Sequence, residues 1–336
     1  MPSTTDTSWT CVRRRTGSLE RGAYSTLVIH PGFPKTGTTF LQEQLAQYDW
    51  YVGPSGRTTL STAISQIART GTSEQTNAFF AQLIEKFGRS GTGLLSEEAY
   101  LSLRPHEMSL QVGMYKNARS DDFRDLWVSP ERKLIDLARA ASQVDHCWLI
   151  TIRKHVDWAY SYARYAIDIL EPQRAGLFLR NLTISRTVGG PIYSDAVEFI
   201  HQIDPDAKVF VIPMEAFTQA EHLPQFERFL ADTFSLHVGL STDMPAVNQA
   251  RTAEPRGYKR LVSSLSHRVR NKQVRGIGRR VEGAVSPVVR RLAKRPNVGR
   301  ERAVFERDIQ DLRDEFIADT ERLQPYCPFD LKALGY

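Results

Sequence analysis

The 336-residue sequence predicts an α/β protein, with three layers in α/β/α order and a central, mostly parallel sheet of about four to five strands. Two observations predict it. Short apolar runs of strand length alternate with longer segments whose apolar residues recur at helical spacing. Each apolar run also ends in polar or glycine-containing residues. The four runs are Leu27–Ile29, Gly93–Ser96, Cys147–Ile152 and Lys208–Ile212. Such alternation is typical of βαβ units and a doubly wound sheet.

The first predicted strand, Leu27–Ile29, is wholly apolar, as expected of an inner parallel strand. A segment rich in Gly, Pro and Thr follows it, and an apolar helical face then restarts. The residues that break the run are Gly32, Pro34 and Gly37, and those of the helical face are Phe40, Leu41 and Leu45. We therefore expect a strand, a tight loop and a helix.

Polar residues follow the other predicted strands. Glu97 and Glu98 follow the second strand, Arg153 follows the third, and Glu215 comes shortly after the fourth. Helical spacing predicts helices over Val156–Leu170, Tyr193–Ile203 and Leu223–Phe234. Because ligands bind beyond the carboxyl ends of parallel strands, we expect these polar residues to gather there with the loop 34–39.

The loop itself has the composition of an anion site. Its backbone N–H groups lie at the positive end of the following helix, where they attract negative charge. Lys35 adds a full charge, and Thr36, Thr38 and Thr39 add hydroxyl donors. In the common nucleotide loop G-x-x-x-x-G-K-[ST], the Lys follows the second Gly. Here Lys35 precedes Gly37, which disfavours an ATPase or kinase that clamps a magnesium-bound triphosphate.

A second pair of residues suits a phosphate. Arg153 ends the third predicted strand, and Ser161 lies eight positions later, early in the helix Val156–Leu170. An Arg guanidinium can hold a phosphate through two parallel hydrogen bonds, and a Ser hydroxyl supplies a neutral donor.

Together these motifs resemble those of sulfotransferases that use 3′-phosphoadenosine-5′-phosphosulfate (PAPS). The string PKTGTT, residues 34–39, resembles their 5′-phosphosulfate loop, and Arg153 with Ser161 resembles their 3′-phosphate motif. The resemblance spans about Leu27–Ala250. It implies PAPS as co-substrate, no metal, and a PAPS-binding strand–loop–helix in which Pro34 to Thr39, Arg153 and Ser161 hold the nucleotide. His155 and Trp158 stand where many members carry Pro and Arg, which bears on the subfamily more than on the site.

The resemblance also suggests the catalytic residues. Lys35 would stabilise the charge that grows on the leaving oxygen. The segment LLSEEAYL resembles the Ser-Glu segment of carbohydrate-type and many bacterial members, in which the Glu is the general base; this match favours Glu98 over Glu97. The alternative is that this carboxylate caps a helix at Ala99–Leu103. His30 and His106 are other candidates for the base, although a structural role suits His30 better.

The sequence organises into one domain, 23–336, after a flexible N-terminal segment, 1–22. Region 55–141 is predicted to be largely helical and to shape the acceptor cleft. Region 251–302 carries 16 Lys and Arg against 3 acidic residues, a net +13, so the rest of the chain is net −7 within a total of +6.

Three roles compete for this basic segment. It is a solvated helical face, a lid over the PAPS phosphates, or a peripheral contact with an anionic membrane or polyanionic acceptor. Sulfotransferases often close the nucleotide with such a C-terminal segment. Cytosolic members use Arg-Lys-Gly there, whereas this chain offers only Arg275-Gly276. No aromatic platform accompanies the charges, so nucleic acid is not an expected partner.

The composition, 41% hydrophobic and 24% charged, is that of a soluble globular protein, and no apolar run has the length of a membrane span. The N-terminal MPSTTDTSWTCVRRR lacks the apolar core of a signal peptide, and the three cysteines are few and widely spaced. We therefore expect a cytoplasmic protein, with membrane-peripheral contact through 251–302 as an alternative.

The predicted function is sulfuryl transfer from PAPS to a hydroxyl or amine of a carbohydrate, a lipid-linked compound or a small metabolite. One alternative is a P-loop nucleotide kinase or phosphohydrolase, which would need magnesium. The other is a non-catalytic nucleotide-binding module attached to a membrane or partner through 251–302. The sequence leaves the acceptor and the oligomeric state open.

Overall fold

The computed structural model describes residues 26–54, 56, 59–87, 91–101, 129–167, 183, 186, 188–242, 306, 307 and 309–336. Except for 306 and 307, they belong to one compact unit formed by 1–244 and 309–336; a second unit spans 245–308. The predicted N-terminal segment 1–22, the basic segment 251–302 and His106 lie outside the described residues.

The elements follow one another in α/β order. The strands are β1 (Thr26–His30), β2 (Tyr51–Val52), β3 (Thr92–Ser96), β4 (Asp145–Ile152) and β5 (Lys208–Pro213). The α-helices are α1 (Thr38–Leu45), α2 (Thr59–Thr70), α3 (Ser73–Phe87), α4 (Pro130–Ala141), α5 (His155–Ile167), α6 (Tyr193–Ile203), α7 (Glu215–Thr218), α8 (Leu223–Phe234) and α9 (Arg313–Leu323). Short 3₁₀ helices span Glu98–Tyr100, Gln310–Leu312 and Gln324–Tyr326.

The five strands form one parallel sheet in the order β2-β3-β1-β4-β5, which confirms the predicted fold class. Central β1 pairs with both neighbours, so that Val28 aligns with Leu94 of β3 and with Cys147 of β4. Edge strand β2 has only two residues and was not predicted, because two residues carry no readable alternation. The sheet is therefore at the upper end of the predicted size.

The helices cover both faces of the sheet. The connection from β1 to β2 runs toward one edge, whereas the later connections run toward the other. Because parallel crossovers are right-handed, α1 lies on one face and helices α2 to α6 lie on the opposite face. Aromatic contacts join α7 and α8 to the α1 face, since the Phe217 ring lies 6.4 Å from Phe40 and 5.5 Å from Phe226. This is the predicted three-layer arrangement.

The core is built on the central strands. Val28, Ile29, Leu149 and Ile150 are fully buried, as expected for inner parallel strands covered on both faces. Helices α6 and α8 have the bounds that their apolar spacing predicts. Within the described part of the chain, no helix is both long and apolar enough to cross a bilayer.

The topology indicates where a ligand would bind. Connections leave the carboxyl ends of neighbouring strands β1 and β4 in opposite directions, and a crevice outside such a switch point is the usual ligand site of open α/β sheets. The loop 31–37 and Arg153 follow these two strand ends directly. The fold thus places the loop 31–37 and Arg153, the two predicted phosphate-binding motifs, at neighbouring strand ends.

Candidate functional site

The loop between β1 and α1 has an unusual backbone. Lys35 has φ of 69° and Gly37 has φ of 80°, so both residues adopt the left-handed conformation. A residue with a β-carbon loses about 1–2 kcal/mol in this region, and such strain is concentrated at functional sites. Strained Lys35 is therefore held by its surroundings and is a candidate for a specific role.

Gly37 is required at its position for two reasons. Its positive φ favours glycine, and a β-carbon built there would lie 2.7 Å from Met214 Cγ and 3.0 Å from Phe217 Cε2. Gly37 is also the N-cap of α1, and no side chain caps this helix. The first N–H groups of α1 therefore lack a side-chain acceptor, which is the arrangement that favours an anion.

A buried chain of polar side chains lies beneath the loop. Thr36 Oγ1 donates to the carbonyl oxygen of Phe33 at 2.7 Å and lies 2.9 Å from Thr151 Oγ1. Thr151 Oγ1 lies 3.1 Å from His30 Nε2, and His30 Nδ1 lies 2.8 Å from Ser96 Oγ. Gln42 Nε2 donates to Ser96 Oγ at 3.0 Å. The chain thus links β1, β3 and β4 to the loop and to α1.

The direction of hydrogen-bond donation along these linked side chains follows from the groups at the two ends. A carbonyl can only accept, so the Thr36 hydroxyl proton points to Phe33, and Thr151 must donate to Thr36. Thr151 then accepts from His30 Nε2–H, which leaves His30 Nδ1 to accept from Ser96. Ser96 in turn accepts from one N–H of Gln42, so each hydroxyl and the His30 N–H donates once.

His30 is therefore a neutral structural histidine. Both of its ring nitrogens are engaged, and burial lowers its pKa from 6.5 to about 4. This agrees with the structural role that its position after the first strand suggests. It also leaves His30 without a lone pair directed at the loop, so we do not assign it as a general base.

The two glutamates after β3 have different surroundings. Glu97 is buried; its Oε1 accepts from the Ala99 N–H at 3.0 Å as the N-cap of the 3₁₀ helix, and its Oε2 accepts from Ser65 Oγ. Glu98 is half-buried, and its Oε2 accepts from Thr38 Oγ1 at 2.8 Å. The capping role therefore belongs to Glu97, and Glu98 is the carboxylate that contacts the loop–helix junction.

The turn that carries Glu98 is held from a second direction. Lys133 of α4 is 4% exposed, and its Nζ donates to the carbonyl oxygen of Ala99 at 2.8 Å. A buried ammonium and the buried Glu97 carboxylate thus bind opposite polar groups of the same backbone turn. The position of Glu98 is consequently fixed by its neighbours rather than by its own burial.

Arg153 connects the second motif to the first. Its Nη1 donates to the carbonyl oxygen of Lys35 over a long 3.5 Å. Its Nε is buried and has no hydrogen-bond partner among the described residues. A guanidinium carries five N–H donors, and a buried donor without an acceptor is costly. Ser161 lies on α5, two turns of helix after Arg153.

Trp158 and His155 are both buried beside the loop and Arg153. The Trp158 indole Nε1 donates to the carbonyl oxygen of Pro34 at 2.7 Å, and His155 Nε2 lies 2.7 Å from Asp319 Oδ2. Trp158 thus holds the loop from below, and His155 joins α5 to the C-terminal helix α9. Neither contact displaces Arg153 from the loop.

Most predicted site residues come together at the carboxyl edge of the sheet. The contacts Thr38–Glu98 and Arg153–Lys35 join the loop to the ends of β3 and β4. Glu215 follows β5 at the same edge but contacts Tyr336, whose hydroxyl lies 2.7 Å from Glu215 Oε2. The Thr36 hydroxyl is directed into the interior, so only its backbone N–H remains for a ligand.

Sequence reasoning missed the residues that support this site from below and behind. They are Gln42, Lys133, Thr151, Tyr193 and Asp319. Each acts through a partner distant in the sequence, and none carries a local motif. Among the described residues, no group of three or more His, Cys, Asp or Glu side chains could hold a metal ion.

The comparisons with known proteins add no relative. No family model matches the sequence, and no curated protein or solved structure matches it either.

Proposed function

We propose that this protein is a PAPS-dependent sulfotransferase of the bacterial, P-loop-like type. It would transfer the sulfuryl group of PAPS to a hydroxyl or amine of a carbohydrate, a lipid-linked compound or a small metabolite. The proposal rests on the motif resemblance of 34–39 and of Arg153 with Ser161, and on the geometry of the residues at the carboxyl edge of the sheet.

One observation carries the proposal. Arg153, 118 positions after Lys35, contacts the loop backbone through Nη1, and its buried Nε has no hydrogen-bond partner among the described residues. A planar guanidinium with open donors beside a loop of N–H groups suits a ligand with two anionic ends. PAPS is such a ligand, since it carries a 5′-phosphosulfate and a 3′-phosphate.

In this proposal the loop holds the 5′-phosphosulfate. The N–H groups of Thr36 to Thr39 lie at the uncapped start of α1 and would bind its oxygens. Arg153 and Ser161 would bind the 3′-phosphate, which distinguishes PAPS from ATP and from adenosine phosphosulfate. Pro34 is fixed by Trp158 and would set the entry of the loop.

The reaction is an in-line displacement at sulfur, and the roles follow from the charges that develop. The acceptor oxygen or nitrogen forms a bond to sulfur, and the bond from sulfur to the bridging phosphate oxygen breaks. The departing oxygen carries the electron pair away in adenosine 3′,5′-bisphosphate. Lys35 would stabilise that growing charge, because electrostatic stabilisation of this kind is a large part of catalysis.

Glu98 would take the acceptor proton. Its carboxylate accepts from Thr38, at the first residue of α1, and is therefore oriented beside the loop. Glu97 is occupied on both oxygens, by Ala99 and Ser65, which favours Glu98 as the base. An amine acceptor would need this base less than a hydroxyl, because an amine attacks without first losing a proton.

Two finer assignments belong to the same proposal. We propose a cytoplasmic location, since the three cysteines are few and widely spaced. We also propose that 55–141 shapes the acceptor cleft; its described helices α2 and α4 contact the turn of Glu97 and Glu98 through Ser65 and Lys133.

The test is nucleotide binding by the full chain, measured by calorimetry. We expect adenosine 3′,5′-bisphosphate to bind more tightly than AMP, without magnesium. A second assay would incubate the protein with sulfur-labelled PAPS and a cell extract and identify the labelled compound. Binding of magnesium-ATP in preference to adenosine 3′,5′-bisphosphate would instead support a kinase or phosphohydrolase. Equal binding of the bisphosphate and AMP would refute the PAPS site.

A further inference from the structure

The backbone around Arg153 is held by two tyrosine hydroxyls. The Tyr193 hydroxyl donates to the carbonyl oxygen of Arg153 at 2.8 Å, and the Arg153 N–H lies 3.4 Å from the same oxygen. The Tyr336 hydroxyl lies 3.2 Å from the carbonyl oxygen of Ile152, the preceding residue. The Tyr193 contacts come from α6 and the Tyr336 contact comes from the C-terminal residues 331–336; the Ile152 carbonyl oxygen also accepts from the Met214 N–H at 2.8 Å.

Tyr193 is itself fixed by a carboxylate from the C-terminal helix. Asp319 of α9 is fully buried, and it accepts from the N–H groups of Tyr193 at 2.9 Å and Ser194 at 3.0 Å. It therefore caps α6, whose own N-cap residue, Ile192, supplies no side-chain hydrogen bond. Burial alone would raise the pKa of Asp319, but the hydrogen bonds from His155 and Ser194 outweigh it and lower that pKa.

Asp319 also acts on the other side of Arg153. Its Oδ2 lies 2.7 Å from Nε2 of His155, which is the first residue of α5 and two positions after Arg153. His155 stacks on Phe316 of α9 with ring centroids 4.8 Å apart. One carboxylate thus holds both Tyr193, which contacts the Arg153 backbone, and His155, which follows Arg153 by two positions.

Tyr336 is fixed in a comparable way. Its hydroxyl lies 2.7 Å from Oε2 of Glu215, the first residue of α7, which is 6% exposed. Its single proton is shared between two acceptors, mainly with the closer Glu215 and more weakly with the Ile152 carbonyl oxygen, and in this way Tyr336 joins the end of β4 to the start of α7. Asp319 and Tyr336 both belong to the C-terminal segment. Each contacts buried polar groups near the Arg153 backbone.

We propose that Asp319 and Tyr336, both supplied by the C-terminal segment 313–336, are positioning residues for Arg153 and set the preference of the site for a 3′-phosphorylated nucleotide. This inference rests on the proposed function, because it assigns Arg153 to the 3′-phosphate. Neither residue would touch the nucleotide; each would act through the backbone on either side of the guanidinium.

The physical reason is the geometry that a guanidinium demands. Its two parallel hydrogen bonds to a phosphate need a fixed plane, and an error of about 1 Å in such a group can cost about a hundredfold. Among the described residues the Arg153 guanidinium makes one long contact, to Lys35, so its direction depends on the backbone that Tyr193 and Tyr336 contact and on Asp319, which fixes Tyr193. The 5′ end of the nucleotide is held by the loop and would be affected less.

The experiment compares nucleotide selectivity in full-length variants. The readout is the ratio of the dissociation constant for AMP to that for adenosine 3′,5′-bisphosphate, measured by calorimetry. The variants are Tyr193→Phe, Tyr336→Phe and Asp319→Asn. The matched control is Tyr326→Phe, in the same segment, whose ring lies 5.5 Å from His201. A general loss of structure would weaken the binding of both nucleotides. A loss of positioning would weaken the binding of the bisphosphate more than that of AMP and so would lower the ratio of the two dissociation constants.

We expect each Tyr→Phe variant to lower the ratio about twofold to tenfold, the effect of one hydrogen bond, and Asp319→Asn to lower it further. The Tyr326→Phe ratio should equal that of the wild type. Unchanged ratios in Tyr193→Phe and Tyr336→Phe would overturn the inference, and these two variants decide the matter if Asp319→Asn does not fold. A wild type without any preference for the bisphosphate would refute the proposed function itself, which is a different result.

Discussion

Thr38 Oγ1 donates a hydrogen bond of 2.8 Å to Glu98 Oε2, joining the first residue of α1 to the turn that follows β3. The Thr38 hydroxyl supplies the proton of this bond, so Glu98 Oε2 is the acceptor and the side chain is held beside the loop. Glu97, one residue earlier, is buried and caps Ala99. Two adjacent glutamates that look alike in sequence therefore have separate roles in the structure.

Glu98→Gln should lower kcat about 10²-fold or more for a hydroxyl acceptor, while the affinity for adenosine 3′,5′-bisphosphate stays the same. Gln keeps an oxygen that can accept from Thr38 but cannot take a proton. The comparison variant is Glu97→Gln, which should lower the free energy of unfolding by about 1–3 kcal/mol, because the buried cap weakens. If Glu97→Gln alone lowered kcat without loss of stability, the base would be Glu97.

Lys35→Ala should abolish sulfuryl transfer and leave the fold intact, as judged by circular dichroism and thermal unfolding. Lys35→Gly should also abolish transfer. Its free energy of unfolding should be between 0 and about 1 kcal/mol higher than that of Lys35→Ala. The reason is that glycine tolerates the φ of 69° at this position. Near-normal turnover in either variant would remove Lys35 from the mechanism.

Arg153→Ala should weaken the binding of adenosine 3′,5′-bisphosphate about 10- to 100-fold, the effect of a lost charge-assisted hydrogen bond, and should hardly change the binding of adenosine phosphosulfate. Calorimetry with the two nucleotides measures both effects. Lys154→Ala is the control, since it removes the neighbouring positive charge. Equal losses for the two nucleotides would show that Arg153 does not contact the 3′-phosphate.

Protein stability should fall as the pH is lowered from 6.5 toward 4, because of His30. Burial lowers its pKa to about 4, against 6.5 in the unfolded chain, so the unfolded state takes up a proton first. The stability present above pH 6.5 is therefore lost progressively, by about 2 kcal/mol at pH 4.5. Urea unfolding of the wild type and His30→Gln at pH 7 and pH 4.5 measures this.

His30→Gln should cost more stability at pH 7 than at pH 4.5, by about that 2 kcal/mol. A stability difference for His30→Gln that did not change with pH would contradict the neutral, buried assignment of His30.

Trp158→Phe should lower the free energy of unfolding by about 1–3 kcal/mol, because the carbonyl oxygen of Pro34 loses its indole donor in a buried position. The loop should also bind adenosine 3′,5′-bisphosphate more weakly. Trp50→Phe is the control; Trp50 stacks on Tyr48 at the other end of α1. If both variants bound the nucleotide with the same affinity, Trp158 would stabilise the fold without influencing nucleotide binding.

Local patterns were sufficient for most of the fold. Apolar spacing gave the bounds of α6 and α8, and four of the five strands lie within one or two residues of their apolar runs. These elements are long enough for the period of their side chains to be read. Strand β2 was missed because its two residues pair with β3 only through the tertiary fold.

The sequence by itself determined the chemical groups of the candidate site and their order along the chain. The loop 34–39, Glu97 with Glu98, and Arg153 each follow a strand, and parallel strands bring their carboxyl ends to one edge. Only the tertiary structure decided which glutamate is buried, that His30 is neutral, and that Asp319 and Tyr336 hold the backbone around Arg153. The physical reason is that these properties depend on burial and on hydrogen bonds between residues far apart in the chain, which no local spacing encodes.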